Sequence, residues 1–160
     1  MKLIIKYGKR FEINRIKSTI KKLEWYKAHN YKPILPKAMA TEEEIISSIN
    51  KEFNEKEFEN AKDNLLKDYA GIKKAFAQKL KDFFKIKIPS EIEIMLTKYG
   101  MGGSYNLPNI IILNIQSKKQ LIDIFKHEIL HLFLEEDVNK RGLSQEEKER
   151  LIEETERKFD

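Results

Sequence analysis

Leu121-Ile122-Asp123-Ile124-Phe125-Lys126-His127-Glu128-Ile129-Leu130-His131-Leu132-Phe133-Leu134 is the stretch on which the fold turns. Nine of its fourteen residues are large and apolar, and at helical spacing they lie nearly all the way round. A helix of that kind sits at the centre of a domain. Its polar residues are Asp123, Lys126, His127, Glu128 and His131. Burying such groups unpartnered costs on the order of several kcal/mol, and a metal with its surrounding hydrogen bonds removes that cost.

His127-Glu128-Ile129-Leu130-His131 is an H-E-x-x-H pattern. Four residues is just over one helical turn, so both imidazoles project from one face and can meet one ion. Glu128 stands about 100° round the helix from His127, within reach of a metal-bound water without being a ligand. With 3 His and 20 Glu in the chain, chance produces the pattern in about one shuffled sequence in two hundred. Catalytic zinc takes three protein ligands and leaves a fourth position for water. The chain has no cysteine, so the ligands must be His, Asp or Glu.

Working outward, residues 109–115 form a β-rich run able to be buried on both faces. Glu91 to Tyr99 alternates, with Ile92, Ile94 and Leu96 on one side, and Lys85 to Ile88 alternates too; both read as strand. Gly100 to Ser104 reads as a flexible loop and residues 117–135 as the motif's helix. Residues 139–142 read as a turn, and a last helix to Phe159 is opened by a Ser144/Glu147 capping box. Upstream, Thr41 with Glu44 opens helical sequence to Phe84, with Asn54 and Gly71 as candidate joints. Residues 2–7 read as a strand. Ile13, Ile16, Ile20 and Leu23 mark an amphipathic helix from Phe11 to Ala28.

The chain has 160 residues, 41% hydrophobic and 36% charged, enough for a real core and too charged for a membrane-embedded protein. The longest uncharged apolar run, Leu107 to Gln116, is far short of the ~20 residues a membrane span needs. The amino terminus lacks the apolar stretch of a signal peptide, so a soluble, cytoplasmic protein without a membrane partner is expected. The +5 net charge is uneven. Residues 1–39 carry 11 Lys or Arg against 2 Glu, a net of +9, while residues 40–84 and 85–160 each net −2. Two regions are expected: a basic strand-plus-helix segment over residues 1–39, and residues 40–160 around the motif.

From about residue 60 to the end the chain resembles minimal zincins of the gluzincin type, the small archaeal metallopeptidases called minigluzincins. The features that carry the resemblance are the helix over residues 62–84, the strand over 91–99, the loop Gly100-Met101-Gly102-Gly103-Ser104-Tyr105-Asn106, the edge-strand-like run from Asn109 to Asn114, the motif helix and a Glu-rich last helix. The resemblance implies an α+β fold: a minimal zincin-like domain with a small, mostly antiparallel sheet. It also implies Zn2+ as cofactor, Glu128 as the catalytic base and a third ligand on the last helix. Candidates there are Glu146, Glu147, Glu149, Glu153, Glu154 and Glu156. Similar zincins place this glutamate about twenty residues past the second histidine, before a buried series. That favours Glu149, with Glu153 and Glu154 as alternatives.

Other expectations concern single residues. His29 reads as a surface histidine, and Glu135 as the end of its helix or a solvent contact. Asp123 either orients a ligand or faces solvent. Tyr99 and Tyr105 are expected in core or loop packing, though either phenol could steady an oxyanion. Strand 109–115, as an edge, could pair with an extended peptide, with Asn114 at its end. Trp25 and Tyr26 are expected to pack their helix onto the core; stacking on nucleic acid is the alternative. The leading functional expectation is a zinc metallopeptidase acting on a peptide or protein. The alternative is a zinc-stabilised binding or regulatory protein whose residues 1–39 contact nucleic acid or another acidic partner. A related possibility is that this segment covers the cleft as an inhibitory pro-region.

Overall fold

A computed structural model describes residues 1–85 and 88–159. In chain order the elements are β1 (Lys2–Lys6), α1 (Lys9–Lys21), α2 (Leu23–Ala28), α3 (Glu42–Glu52), α4 (Glu55–Phe84), β2 (Glu91–Thr97), β3 (Gly103–Asn106), β4 (Ile110–Asn114), α5 (Leu121–Arg141) and α6 (Gln145–Phe159). The described residues make an α+β fold of six helices and one four-stranded sheet. None of these helices is long and apolar enough to cross a membrane.

The sheet order is β1-β2-β4-β3. β1 pairs parallel with β2, β2 parallel with β4, and only β3 with β4 is antiparallel. The expected mostly antiparallel sheet is therefore a mixed one with more parallel pairing. Parallel neighbours need a long crossover. Helices α1 to α4 supply it between β1 and β2, and the segment carrying β3 supplies it between β2 and β4. Consequently β4 is an interior strand, with Ile111 to Asn114 all buried as its sequence foretells. The edge on that side is β3, which begins inside the glycine stretch read as a loop.

Ile92, Ile94 and Leu96 are fully buried, as the alternation of β2 requires. With Phe58, Leu65, Leu80, Ile111, Leu113, Phe125, Ile129 and Ile152 they form one core. Each such side chain contributes about 1.5–3 kcal/mol by leaving water. Helix α5 crosses this core, packing on β3, β4, α4 and α6. It ends at Gly142, whose left-handed φ of 62° suits glycine, so residues 139–141 are helix rather than turn.

Helix boundaries follow local chemistry. Thr41 Oγ1 accepts from Glu44 N at 3.2 Å, while the Glu44 carboxylate accepts from Ala40 N at 2.7 Å, one residue earlier than in a standard capping box. Ser144 and Glu147 form the full reciprocal pair. Asn54 caps α4, which then runs thirty residues straight through Gly71, so Gly71 is not a joint. The expected Phe11–Ala28 helix is broken at Lys22 into α1 and α2. The strand expected over residues 85–88 falls partly on Ile86 and Lys87, outside the described residues.

Residues 1–39 are tied into the rest at several points. β1 is the other sheet edge, Glu12 accepts from Lys98 N at 3.0 Å, and Ile34 bridges Gly100. Ile16 joins Ile45, Ile49 and Tyr99 in a second, smaller apolar cluster.

Candidate metal centre

His127 and His131 occupy successive turns of α5, and their Nε2 atoms lie 3.1 Å apart. Helix α6 brings Glu149 against them, with Oε2 at 3.7 Å from His127 Nε2 and 3.5 Å from His131 Nε2. Ligands about 2.0–2.1 Å from a tetrahedral zinc lie roughly 3.3–3.4 Å from one another. The three donors match that spacing to within a few tenths of an ångström, so this group can hold a metal ion. Glu153 and Glu154 are exposed and are not brought to the histidines.

Helix α6 is aimed by its own pattern. Ile152 is fully buried and Thr155 nearly so, while Glu149 and Glu156, two turns apart, face α5 beside them. Gln145 donates to Glu149 Oε1 at 2.7 Å, leaving Oε2 for the imidazoles. Glu156 Oε1 lies 3.0 Å from His127 Nδ1. A carboxylate on the far nitrogen fixes the ring's tautomer and raises its basicity as a ligand. This role for Glu156 was not foreseen; its seven-residue spacing from Glu149 is the signal that could have found it. Among the described residues His131 lacks such a partner, its Nδ1 being buried and unbonded. Its ring is held by stacking on Tyr105, with centroids 5.4 Å apart and planes 10° apart.

Charge in the cluster is shared. Burial alone would lower the His127 pKa, but the Glu149 hydrogen bond and the charges of Glu128 and Glu156 push it up to about 9. Burial would raise Glu149, yet both imidazoles hold it well below the usual carboxylate range. His127 and Glu149 thus stabilise each other's charged forms. Glu128 is 7% exposed. Desolvation drives its pKa up to about 7, against the pull of His127, Lys148 and Arg15.

Glu128 packs against β3 at Gly103. A Cβ there would lie 2.5 Å from Ile124 Cγ2 and 2.8 Å from Glu128 Cδ, so only glycine lets the carboxylate sit under this strand. Arg15, which the sequence did not single out, donates from Nη2 to Ser104 Oγ at 3.1 Å and lies beneath Gly100, with its Nε buried and unpartnered among the described residues. One lysine-rich helix offers no sign that its arginine braces a distant strand.

Tyr105 stands on β3, and its hydroxyl bonds both Glu135 and Lys148. Lys148 in turn pairs with Glu135 at 2.9 Å. Burial and Glu135 raise the phenol's pKa. Glu135 thus neither ends α5 nor simply meets solvent. Asn114 is buried, accepting from Gln116 N at 2.9 Å, and lies away from the cleft wall. Tyr99 is buried in the second cluster and bonded to Glu52. Asp123 pairs with Lys126 at 3.0 Å, not with a histidine. His29 is exposed and stacks on Trp25. Tyr26 is buried as expected, whereas Trp25 is 44% exposed.

The His127, His131 and Glu149 group opens into a cleft of about 1560 Å³, walled by the 101–107 segment, α4, α5, α6 and the α1–α2 region. Among protein-family models, curated proteins and solved structures, nothing matches the chain.

Proposed function

We propose that the chain is a zinc-dependent metallopeptidase of zincin-like architecture. The observation that carries this reading is the convergence of His127 Nε2, His131 Nε2 and Glu149 Oε2 at metal-ligand spacing, beside the buried carboxylate of Glu128, at a cleft. An all-oxygen site would favour magnesium, calcium or manganese; two imidazoles and one carboxylate suit zinc. Zinc held there would act as a Lewis acid toward a water and a substrate carbonyl. His127, His131 and Glu149 would hold the ion, and Glu156 orients His127. Glu128 takes the proton from the attacking water and passes it to the leaving amine. Its place beneath Gly103 keeps it between strand and helix. An extended peptide finds its unpaired backbone groups on edge strand β3, not on interior β4. Tyr105, tied to Glu135 and Lys148, fixes His131 by stacking.

The test is Glu128→Gln in zinc-loaded protein. Metal content should stay at the wild-type level while hydrolysis of an unstructured protein substrate falls at least about 10²-fold, the lower range for loss of a general base. Hydrolysis surviving the change removes Glu128 from its role.

A further inference from the structure

The cleft is lined by seven lysines and five carboxylates. Four of those carboxylates are already engaged. Glu149 and Glu156 face the histidines, Glu135 holds Lys148, and Asp123 holds Lys126. The fifth is Glu128. Of the other five lysines, Lys79 is bonded to the Phe159 carbonyl, which leaves four exposed lysines for which no carboxylate lies within ion-pair distance among the described residues: Lys21 and Lys22 where α1 meets α2, and Lys118 and Lys119 on the connection into α5.

We propose that this cleft selects acidic peptides, with Asp or Glu side chains of the bound chain meeting Lys21, Lys22, Lys118 and Lys119. The inference deepens the peptidase reading by naming its substrate class. Ammonium groups from two separate elements facing one cleft concentrate an anionic chain beside the metal group. Trp25, exposed next to Lys21 and Lys22, gives the same chain an apolar face. Part of the positive charge of residues 1–39 is already engaged. Lys2 pairs with Glu91, Lys6 with Glu93, Lys17 with Glu42 and Lys27 with Glu24, and Arg15 is bonded to Ser104. The lysines left unpaired beside Trp25 face the cleft.

Binding is measured separately from cleavage. Zinc-loaded Glu128→Gln protein is titrated, by fluorescence anisotropy, with labelled unstructured peptides of equal length whose variable positions are Glu, Gln or Lys. The same titrations use Glu128→Gln protein carrying Lys21→Gln, Lys22→Gln, Lys118→Gln and Lys119→Gln together. The Glu peptide should bind at least about tenfold tighter than the Gln peptide near 50 mM salt. That advantage should collapse near 500 mM salt and in the fourfold variant. Equal binding of the three peptides overturns the inference, as does an acidic preference that survives the fourfold change. A single-stranded DNA that outcompetes the Glu peptide and loses affinity with the same lysines overturns it in favour of nucleic acid. Wild-type cleavage is followed in parallel. Selective binding without cleavage refutes the peptidase reading alone, and charge-blind cleavage refutes this inference alone.

Discussion

Replacing Gly103 by Ala tests how the base is seated. The added methyl carbon would stand 2.5 Å from Ile124 Cγ2 and 2.8 Å from Glu128 Cδ. Carbon atoms pack comfortably at about 3.5–4.0 Å, so roughly 1 Å of relief is needed. Two movements can supply it. If the Glu128 side chain swings aside, a displacement of ~1 Å at the reacting centre lowers the rate about 10²-fold, or about 2.7 kcal/mol of barrier. If β3 lifts from α5 instead, overpacking costs about 1–3 kcal/mol of stability. Urea unfolding, zinc titration and peptidase rates of the variant separate the two, because His127, His131 and Glu149 are untouched and zinc uptake should persist. Gly102→Ala is the matched control, since its nearest neighbour, Ser117 Oγ, is 3.4 Å away. Gly71→Ala, with nothing within 4 Å in mid-α4, should stabilise by about 0.5–1 kcal/mol. A Gly103→Ala protein with unchanged urea midpoint and full activity refutes the proposed packing of Glu128 under β3.

Glu149→Ala should abolish stoichiometric zinc binding in metal analysis, whereas Glu153→Ala and Glu154→Ala should leave it intact; retention of tight zinc by the first variant removes Glu149 as third ligand. Glu156→Gln should weaken zinc about 10–100-fold by competition with a chelator, through loss of the His127 Nδ1 contact. Unchanged affinity would show that this carboxylate does not act on the ligand. In metal-free protein His127 rises from an ordinary value of 6.5 to about 9. A raised folded-state pKa means that its stabilising charge is fully present below pH 6.5 and is lost as pH climbs through about 9. Zinc must displace that proton, so its apparent affinity should increase steadily from pH 6.5 to about 9 while the metal-free melting temperature falls. A pH-independent affinity over that window counts against the proton-sharing cluster.

Local physics made much of the molecule legible in one dimension. Thr41 and Ser144 announce helix starts because their side-chain oxygens satisfy nearby backbone donors, and Asn54, legible as a joint, caps α4 in the same way. Ile92, Ile94 and Leu96 announce β2 through a period of two, and a near-continuous apolar helix places α5 at the centre. The pairing of His127 with His131 follows from helical pitch alone. Sheet order did not follow, because the choice between parallel and antiparallel partners depends on where four intervening helices carry the chain. That choice moved the exposed edge from residues 109–115 to 103–106. It also left Asn114 holding a loop rather than facing the cleft. Glu149, Glu153 and Glu154 look alike in sequence; only the rotation of α6 about Ile152 selects the first for the imidazoles and turns Glu156 onto His127. The contacts of Arg15 with Ser104 and of Glu128 with Gly103 likewise span 89 and 25 positions. Pitch and pleat act within a few residues, whereas these side chains meet only after the core has packed.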